Sequence, residues 1–101
     1  MIAAFSISPG GTGESVGDVV GECVAIVRDS GLPNETNAMF TNVEGSWEEI
    51  SAVIGACIDH VAQVAPRVGV VVKVDHRPGV ADALAHKNER VAGFEDPDGR
   101  A

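Results

Sequence analysis

Aromatic residues are scarce in this chain of 101 residues, which has no tyrosine, one tryptophan and three phenylalanines. A core with so few rings must be built mostly from Val, Ile and Ala, and oligomerisation would be a natural way to bury more surface. Hydrophobic residues nevertheless make up 45% of the chain and charged residues 22%, which is typical of a globular protein and not of a disordered one. The length indicates one domain.

Cations are also few, with seven Lys and Arg against fifteen Asp and Glu and a formal net charge of -8. The seven are scattered between Arg28 and Arg100, whereas binding to a phosphate backbone needs clustered cations. We therefore expect neither a nucleic acid nor a membrane surface as a partner. The acidic balance favours a cationic or neutral ligand, although solubility is the simpler explanation of the charge.

The chain has only two cysteines, Cys23 and Cys57, and they do not form a CxxC pair. Both fall in apolar helical patterns, which indicates core thiols in a reducing cytosol. No segment approaches the roughly twenty apolar residues of a membrane helix, and residues 1–6 lack the basic region of a signal peptide. These absences predict a soluble, cytoplasmic protein.

The apolar periodicity predicts the order β-α-β-β-α-β, followed by a weak C-terminal helix. The expected first half has a strand over 2–8, a helix capped by Ser15 and ended by Gly31, and two strands within 34–45 that turn near Met39. The expected second half has a helix capped by Ser46 and Glu49 and closed by Pro66, a strand over 68–75 and a weak helix over 80–94. This order is typical of a ferredoxin-like α+β sandwich, with a four-stranded antiparallel sheet and two helices on one face. We expect one domain over 1–94 and a flexible tail over 95–101.

Two helices on one face would leave the other face of the sheet open. In the last strand, Val68, Val70, Val72 and Val74 alternate with Gly69, Val71, Lys73 and Asp75. The open face would carry Val71 and Phe40 among polar groups. Apolar residues on an uncovered sheet predict pairing between subunits.

Two segments carry polar or glycine-rich patterns that could form a site. The turn over residues 9–13 (PGGTG) leads into a helix N-terminus and could cradle a phosphate, but it matches no phosphate-loop motif and is more simply a tight connection. Strand alternation would bring Asn37 and Glu44 near Lys73 and Asp75. The simpler interpretation is a solvated strand pair, although Asn is depleted from strands.

The sequence shows no catalytic or metal-binding constellation. Three histidines, His60, His76 and His86, fit no metal-ligand spacing. No nucleophile and base can be assigned from their order along the chain. We expect no metal and no enzymatic activity.

Several short motifs occur in order along the chain: residues 4–9 (AFSISP) before 11–13 (GTG), 31–34 (GLPN), 37–41 (NAMFT) followed by 44–45 (EG), and 73–77 (KVDHR). Together they resemble the small thiamine-binding proteins of bacteria and archaea, the single-repeat relatives of YkoF. The resemblance extends from Ile2 to about Val91. It implies a ferredoxin-like fold, dimers or tetramers assembled through the sheets, and binding of thiamine or its hydroxymethylpyrimidine moiety without catalysis and without a further cofactor.

The same resemblance implies a set of ligand-binding residues by matching position: Ser6, Thr12, Asn37, Met39, Thr41, Glu44 and Asp75. The amide, hydroxyl and carboxylate groups could pair with an aminopyrimidine, and Met39 would provide a polarizable wall. The carboxylates would also offset the thiazolium charge. The family more often has a large aliphatic residue at the Gly10 position and a small one at the Phe40 position. Phe40 would either narrow the pocket or stack on the ligand.

Our first hypothesis is thus a non-enzymatic homo-oligomer that binds thiamine or its pyrimidine for storage, delivery or sensing. The alternative is a structural or regulatory protein-interaction module that uses the open sheet face, because the ferredoxin-like fold serves many functions. An enzyme acting on a thiamine fragment is a third hypothesis, and it would require turnover that depends on Glu44, Asp75 or His76.

Overall fold

A four-stranded antiparallel sheet forms the centre of the computed structural model, which describes residues 1–11, 17–79 and 83–95. The elements are β1 (Ile2–Gly10), α1 (Gly17–Asp29), β2 (Asn34–Thr36), β3 (Thr41–Glu44), α2 (Trp47–Ala62), β4 (Arg67–Asp75) and α3 (Ala83–Glu95). The strand order is β2-β3-β1-β4, and each neighbouring pair is antiparallel. The predicted ferredoxin-like α+β fold is confirmed.

Helix α1 ends where the sequence predicts. Gly31 has a φ of 77°, a left-handed conformation that glycine adopts without strain and that commonly follows a helix. The Ser30 N–H still bonds the carbonyls of Ile26 and Val27. The predicted N-cap of this helix, Ser15, lies outside the described residues.

The predicted pair of strands within 34–45 is a hairpin that turns at Ala38 and Met39. The Asn37 N–H donates to the Phe40 carbonyl over 2.9 Å. The Asn37 Oδ1 in turn accepts from the N–H groups of both Met39 and Phe40, at 2.9 Å each. Asn37 therefore holds the turn with its own side chain, as asparagine often does in loops.

Helix α2 begins with the predicted capping box. The Glu49 N–H donates to Ser46 Oγ over 3.1 Å, and the Ser46 N–H donates to Glu49 Oε1 over 3.0 Å. These two bonds satisfy main-chain donors that the first turn of a helix leaves unpaired. The apolar face of α2 is buried through Ile50, Val53, Ile54, Cys57 and Val61.

The core lies between α1, α2 and one face of the sheet. Ala3 and Phe5 from β1 and Val43 from β3 are buried there against Cys23 and Val27 of α1. Phe5 is the one aromatic residue among the buried core residues that the structure describes, whereas Trp47 is half exposed. Small aliphatic side chains thus form the core, as the composition predicts.

Strand β4 lies at the edge of the sheet. Its register pairs Val72 with Phe5 and Val74 with Ala3, so the predicted alternation of its valines is confirmed. The edge position leaves Val72 and Val74 about two-fifths exposed and Val71, on the other face, 60% exposed.

The sheet face opposite α1 and α2 was predicted to be open, but α3 covers one end of it. Three polar contacts from the sheet's carboxylates hold the helix there: the Ala83 N–H donates to Glu44 Oε2 over 2.7 Å, Lys87 Nζ pairs with Asp75, and Asn88 Nδ2 donates to Glu35. The weak helix expected over 80–94 runs from Ala83 to Glu95. Residues 80–82 and the predicted tail after Glu95 lie outside the described residues. In the described ranges, no helix is long and apolar enough to span a membrane.

Candidate functional site

A half-open cleft of about 370 Å³ lies between β1, α1 and the β2–β3 turn. Its lining residues come from these three neighbouring segments: residues 5–8 of β1, Val20, Cys23 and Val24 of α1, and residues 36–41 of the hairpin. The volume is at the lower end of the roughly 300–1,000 Å³ typical of small-molecule sites. The cleft therefore suits a ligand of about one ring system.

The unequal lengths of the strands create this cleft. β1 pairs with β4 along all nine of its residues, but with β3 only from Ile2 to Phe5. Beyond Phe5, the hairpin has turned away at Met39, and its turn stands apart from the second half of β1. Helix α1 closes the space from the core side through Val20 and Val24.

The polar groups of the cleft come mainly from the hairpin. Because Asn37 Oδ1 accepts two main-chain N–H bonds, the orientation of the amide is fixed, and Nδ2 is the end left to donate to a ligand. The hydroxyls of Thr36 and Thr41 face each other across the strands at 3.4 Å. The cleft thus offers an amide donor beside two hydroxyls.

The remaining walls are apolar. Met39 is 74% exposed although it is a large hydrophobic residue, and it lines the cleft together with Phe40. A bound ring would cover Met39, whose thioether adapts to aromatic partners. Phe40, expected on the open sheet face, lines the cleft instead.

The cysteine at the cleft stays protonated at neutral pH. Burial raises the pKa of the Cys23 thiol, and a hydrogen bond with Cys57 offsets part of that rise. Burial also raises the pKa of Cys57 to about 12. Both thiols are free and buried, as expected of core residues, and neither supplies a thiolate nucleophile.

Charged groups are absent from the described lining of the cleft. Among the described residues, no group of three or more His, Cys, Asp or Glu side chains comes together as metal ligands would. His60, a partly exposed residue of α2, pairs with Glu22 of α1 away from the cleft. The chemistry that these residues offer is neutral hydrogen bonding between apolar walls.

The structure divides the predicted ligand-binding residues into two groups. Ser6, Asn37, Met39 and Thr41 line the cleft. Ser6 does so from the main chain of β1, since its pairing with Val71 places its side chain on the face away from the helices. Thr12 lies outside the described residues.

The second group, Glu44 and Asp75, lies at the other end of the sheet, where both residues pair with Ile2. Their carboxylates contact α3 and do not line the cleft. The expectation that Asn37 would join them is wrong, because Asn37 lies at the turn before β3 and Glu44 at the end of β3. Their assignment as ligand-binding residues stays a prediction.

The glycine-rich turn is described only as far as Gly11. A Cβ at Gly11 would lie 2.8 Å from Pro66 Cγ, and its φ is 76°. Both the close packing and the left-handed backbone favour glycine there. The phosphate hypothesis also depends on Thr12 and Gly13, which lie outside the described residues.

Sequence reasoning missed several lining residues, among them Thr36, Val20 and Val24. The apolar pattern of α1 does predict that its valines face the sheet, but it does not show which of them border a gap. That gap follows from the place where β3 begins, and the sequence locates this only approximately.

Comparisons with known proteins agree with this architecture. The profile of the family described as "Thiamine-binding protein" matches residues 3–92. UPF0045 protein Mb1933 of Mycobacterium bovis is 53% identical over 88 residues, which cover 86% of each chain. A crystal structure of the hypothetical protein MJ1052 of Methanocaldococcus jannaschii superposes with a TM-score of 0.80 at 30% identity, covering 90% of this chain and 94% of that one.

A domain of unknown function from Bacillus cereus, DUF77, is also similar, with a TM-score of 0.76 at 25% identity over 85% of this chain and 84% of that one. The family match covers most of the chain, including β2, β3, β4, all of β1 but its first residue, and the three segments that line the cleft. The chain therefore belongs to the thiamine-binding protein family.

Proposed function

We propose that this protein is a non-enzymatic, homo-oligomeric binder of thiamine or its hydroxymethylpyrimidine moiety, acting in storage, delivery or sensing. The observation that carries the proposal is the match to the thiamine-binding family over residues 3–92, in a chain whose structure has a small cleft of mixed polarity. The two free buried thiols support a reducing, cytoplasmic location.

The pyrimidine is the part of thiamine that this cleft suits. It is a neutral ring with hydrogen-bonding groups on its edge, and the described lining offers neutral donors and acceptors between apolar walls. The thiazolium ring carries a positive charge, which has no described counterion in the cleft. We place the pyrimidine inside and the thiazolium toward solvent, where the net charge of -8 favours a cation.

We assign the pyrimidine contacts to the cleft group of predicted residues. Asn37 Nδ2 would donate to a ring nitrogen, the Thr41 hydroxyl would bond the ring edge, and Met39 would cover the ring face. Ser6 would border the ring through its main chain without bonding it, because its N–H and C=O are directed to β4, where Ser6 pairs with Val71. Glu44 and Asp75 would offset the thiazolium charge only at long range while α3 occupies their carboxylates.

The proposal of a binder without catalysis is supported by the character of the cleft. General acid or base catalysis needs a titratable group within reach of the reacting atoms. The described lining has no carboxylate, histidine or lysine, and its one thiol has a raised pKa. These groups can hold a ligand but offer no acid, base or nucleophile at neutral pH.

Self-association through the sheet is supported by the exposed β4 edge. Among the described residues this strand has a partner strand on one side only, and it exposes Val71, Val72 and Val74. Such edges pair readily with another strand. The same observation favours the alternative function, a protein-interaction module whose partner binds at this edge.

Melting curves with and without ligand test the proposal. A ligand at a hundred times its dissociation constant adds about 2.7 kcal/mol to the free energy of unfolding, which raises the melting temperature of a domain this size by about ten degrees. We expect that rise with thiamine or hydroxymethylpyrimidine and not with choline as a control cation. No rise with either ligand would reject the binder and favour the interaction module.

A further inference from the structure

The cleft occupies a gap in the hydrogen-bond ladder of the sheet. Between β1 and β3 the register ends with the pair Phe5 and Thr41. The next pair at the same spacing would join Ile7 to Met39. No described residue of β3 lies opposite Ile7, because Met39 belongs to the turn that Asn37 and Phe40 close.

The direction of the main-chain groups of β1 follows from two bonds at the other end of the ladder. The Gly45 N–H donates to the Met1 carbonyl over 3.0 Å, so Met1 faces β3. The Glu44 N–H donates to the Pro33 carbonyl over 2.9 Å, so Glu44 faces β2, and its neighbour Val43 faces β1. Main-chain groups alternate sides along an antiparallel ladder.

Counting along β1 from Met1, the residues that face β3 are Ala3 and Phe5, and Ile7 is the next in the series. Its N–H and its C=O therefore both point away from β4 and toward the cleft, which Ile7 lines. The residue after that in the series is Pro9, which has no N–H. Ile7 thus presents a donor and an acceptor side by side at the base of the cleft.

We propose that the main-chain N–H and C=O of Ile7 recognise the edge of a planar ligand that has an acceptor beside a donor, as an aminopyrimidine has in its ring nitrogen and amino group. The ligand takes the place of the absent β3 residue and completes the ladder. This inference rests on the proposed function, since it names the groups that would read the pyrimidine.

The surroundings of Ile7 fit a flat ring in that position. Val20 and Val24 of α1 border the cleft on one side, and Met39 and Phe40 of the turn border it on another. Apolar side chains on either side suit the two faces of a ring, while the main-chain pair bonds its edge. Buried main-chain groups need partners, so a ligand that covers the cleft has to bond the N–H and C=O of Ile7 itself.

Backbone chemistry tests the donor directly. Cys23 is a natural junction for chemical ligation, so a synthetic segment of residues 1–22 can carry an ester in place of the amide N–H of Ile7. We expect this protein to keep its melting temperature within a few degrees, because the N–H of Ile7 is outside the β1–β4 ladder. We expect its affinity for thiamine to fall about tenfold.

The matched control is an ester at Ala4, whose N–H points to β4, where Ala4 pairs with Lys73 outside the lining of the cleft. It should lower the melting temperature, because it removes a ladder bond, and leave the affinity of the folded protein for thiamine within about twofold. An ester at Ile7 that lowers the melting temperature as much as the control would overturn the assigned direction of these groups.

The chemical shift of the Ile7 amide, followed by NMR, gives a second readout with small probes. We expect 4-amino-2-methylpyrimidine to move the Ile7 amide proton downfield, and 2,4-dimethylpyrimidine, in which methyl replaces amino, to leave it in place. Thiamine that binds with full affinity to the Ile7 ester, without moving this resonance in the unmodified protein, would overturn the inference and leave the proposed function intact.

The same measurements can also retain the recognition by Ile7 and reject the proposed function. If the aminopyrimidine moves the Ile7 amide while thiamine does not bind, the main-chain pair is retained and the proposed function fails. If neither compound binds, both fail.

Discussion

Asn37 both holds the hairpin turn and presents a donor to the cleft, and the two roles use different atoms. Changing Asn37→Asp keeps the Oδ1 acceptor of the turn and removes the Nδ2 donor. We expect thiamine affinity to fall about tenfold with little change in melting temperature, as measured by titration calorimetry. Asn42→Asp is the control, because it adds the same charge to the same hairpin on the face away from the cleft. Equal affinity of the two variants would exclude Asn37 Nδ2 as a ligand donor.

Cys57 makes the stability of the fold sensitive to alkaline pH. Burial raises the pKa of its thiol from 9.0 to about 12, so the folded state holds the proton that the unfolded state releases at lower pH. The free energy of unfolding therefore decreases as the pH rises from about 9 toward 12. Chemical denaturation at several pH values should show that Cys57→Ala loses less stability over this interval than the unmodified protein. Parallel pH profiles would contradict a buried, protonated Cys57.

At the scale of elements, the capping box explains why α2 begins at Trp47. Ser46→Ala removes the acceptor for the Glu49 N–H, and loss of such a cap costs about 1 kcal/mol. We expect a decrease of about 4–8 °C in melting temperature for a domain of this size. Ser51→Ala, in the same helix, is the control, because the Ser51 hydroxyl bonds only the carbonyl of Glu48 and alanine favours a helix. An equal decrease in both variants would argue against the cap.

Helix α3 depends on polar contacts with the sheet more than on burial. Glu44 is itself buried and accepts the Ala83 N–H at the start of the helix, where a carboxylate is stabilising. Glu44→Ala should therefore speed hydrogen exchange in α3 at least several-fold and leave exchange in α2 unchanged. Unchanged exchange in α3 would show that Glu44 does not hold it. Thiamine affinity of the same variant tests whether this carboxylate also acts on the ligand.

A second α3 contact, between Lys87 and Asp75, responds to acid. Hydrogen bonding and charge attraction from Lys87 hold the pKa of Asp75 below its ordinary value. The pair of Lys87 and Asp75 therefore adds to the free energy of unfolding at pH values above the pKa of Asp75 in the unfolded state. This addition is lost as the pH falls through the lower pKa of Asp75 in the folded state. Lys87→Ala should raise the pKa of Asp75 in an NMR titration, whereas Arg90→Ala, another cation of α3, should change it less. An unchanged pKa in Lys87→Ala would mean that the pair does not persist in solution.

Features that depend on neighbouring residues were predictable from the sequence. The box of Ser46 and Glu49, the end of α1 at Gly31 and the alternating valines of β4 follow from local hydrogen bonding and from the periods of helix and strand. The position of α3 could not be predicted from the sequence, because its contacts join residues 12 to 53 positions apart and its amphipathic pattern is weak. The position of the cleft could not be predicted either, because it depends on the unequal lengths of β1 and β3.

At the scale of the whole molecule, a core poor in aromatic residues and a long exposed edge strand both favour self-association. With few aromatic residues, the core relies on Val, Ile, Ala and Cys side chains, and a nine-residue strand at the edge leaves its outer main-chain groups without a partner strand in the described chain. Pairing of two β4 strands from two copies would extend the sheet and cover the exposed valines. The fold and its assembly would then be stabilised by one continuous sheet.

Sedimentation velocity tests this assembly through two valines of similar exposure. Val71 is 60% exposed on β4, and Val64 is 54% exposed beyond the end of α2. If β4 forms the interface, Val71→Lys places a charge beside its counterpart in the second copy, and we expect monomers at concentrations where the unmodified protein is a dimer or larger. Val64→Lys should leave the oligomer intact.

A monomeric unmodified protein would contradict self-association, and an oligomer that survives Val71→Lys would show that the interface is not on this face of β4. Because the cleft lies on the β3 side of β1 and β4 lies on the other side, a Val71→Lys monomer that still binds thiamine would show that ligand binding and assembly use separate edges of the same strand.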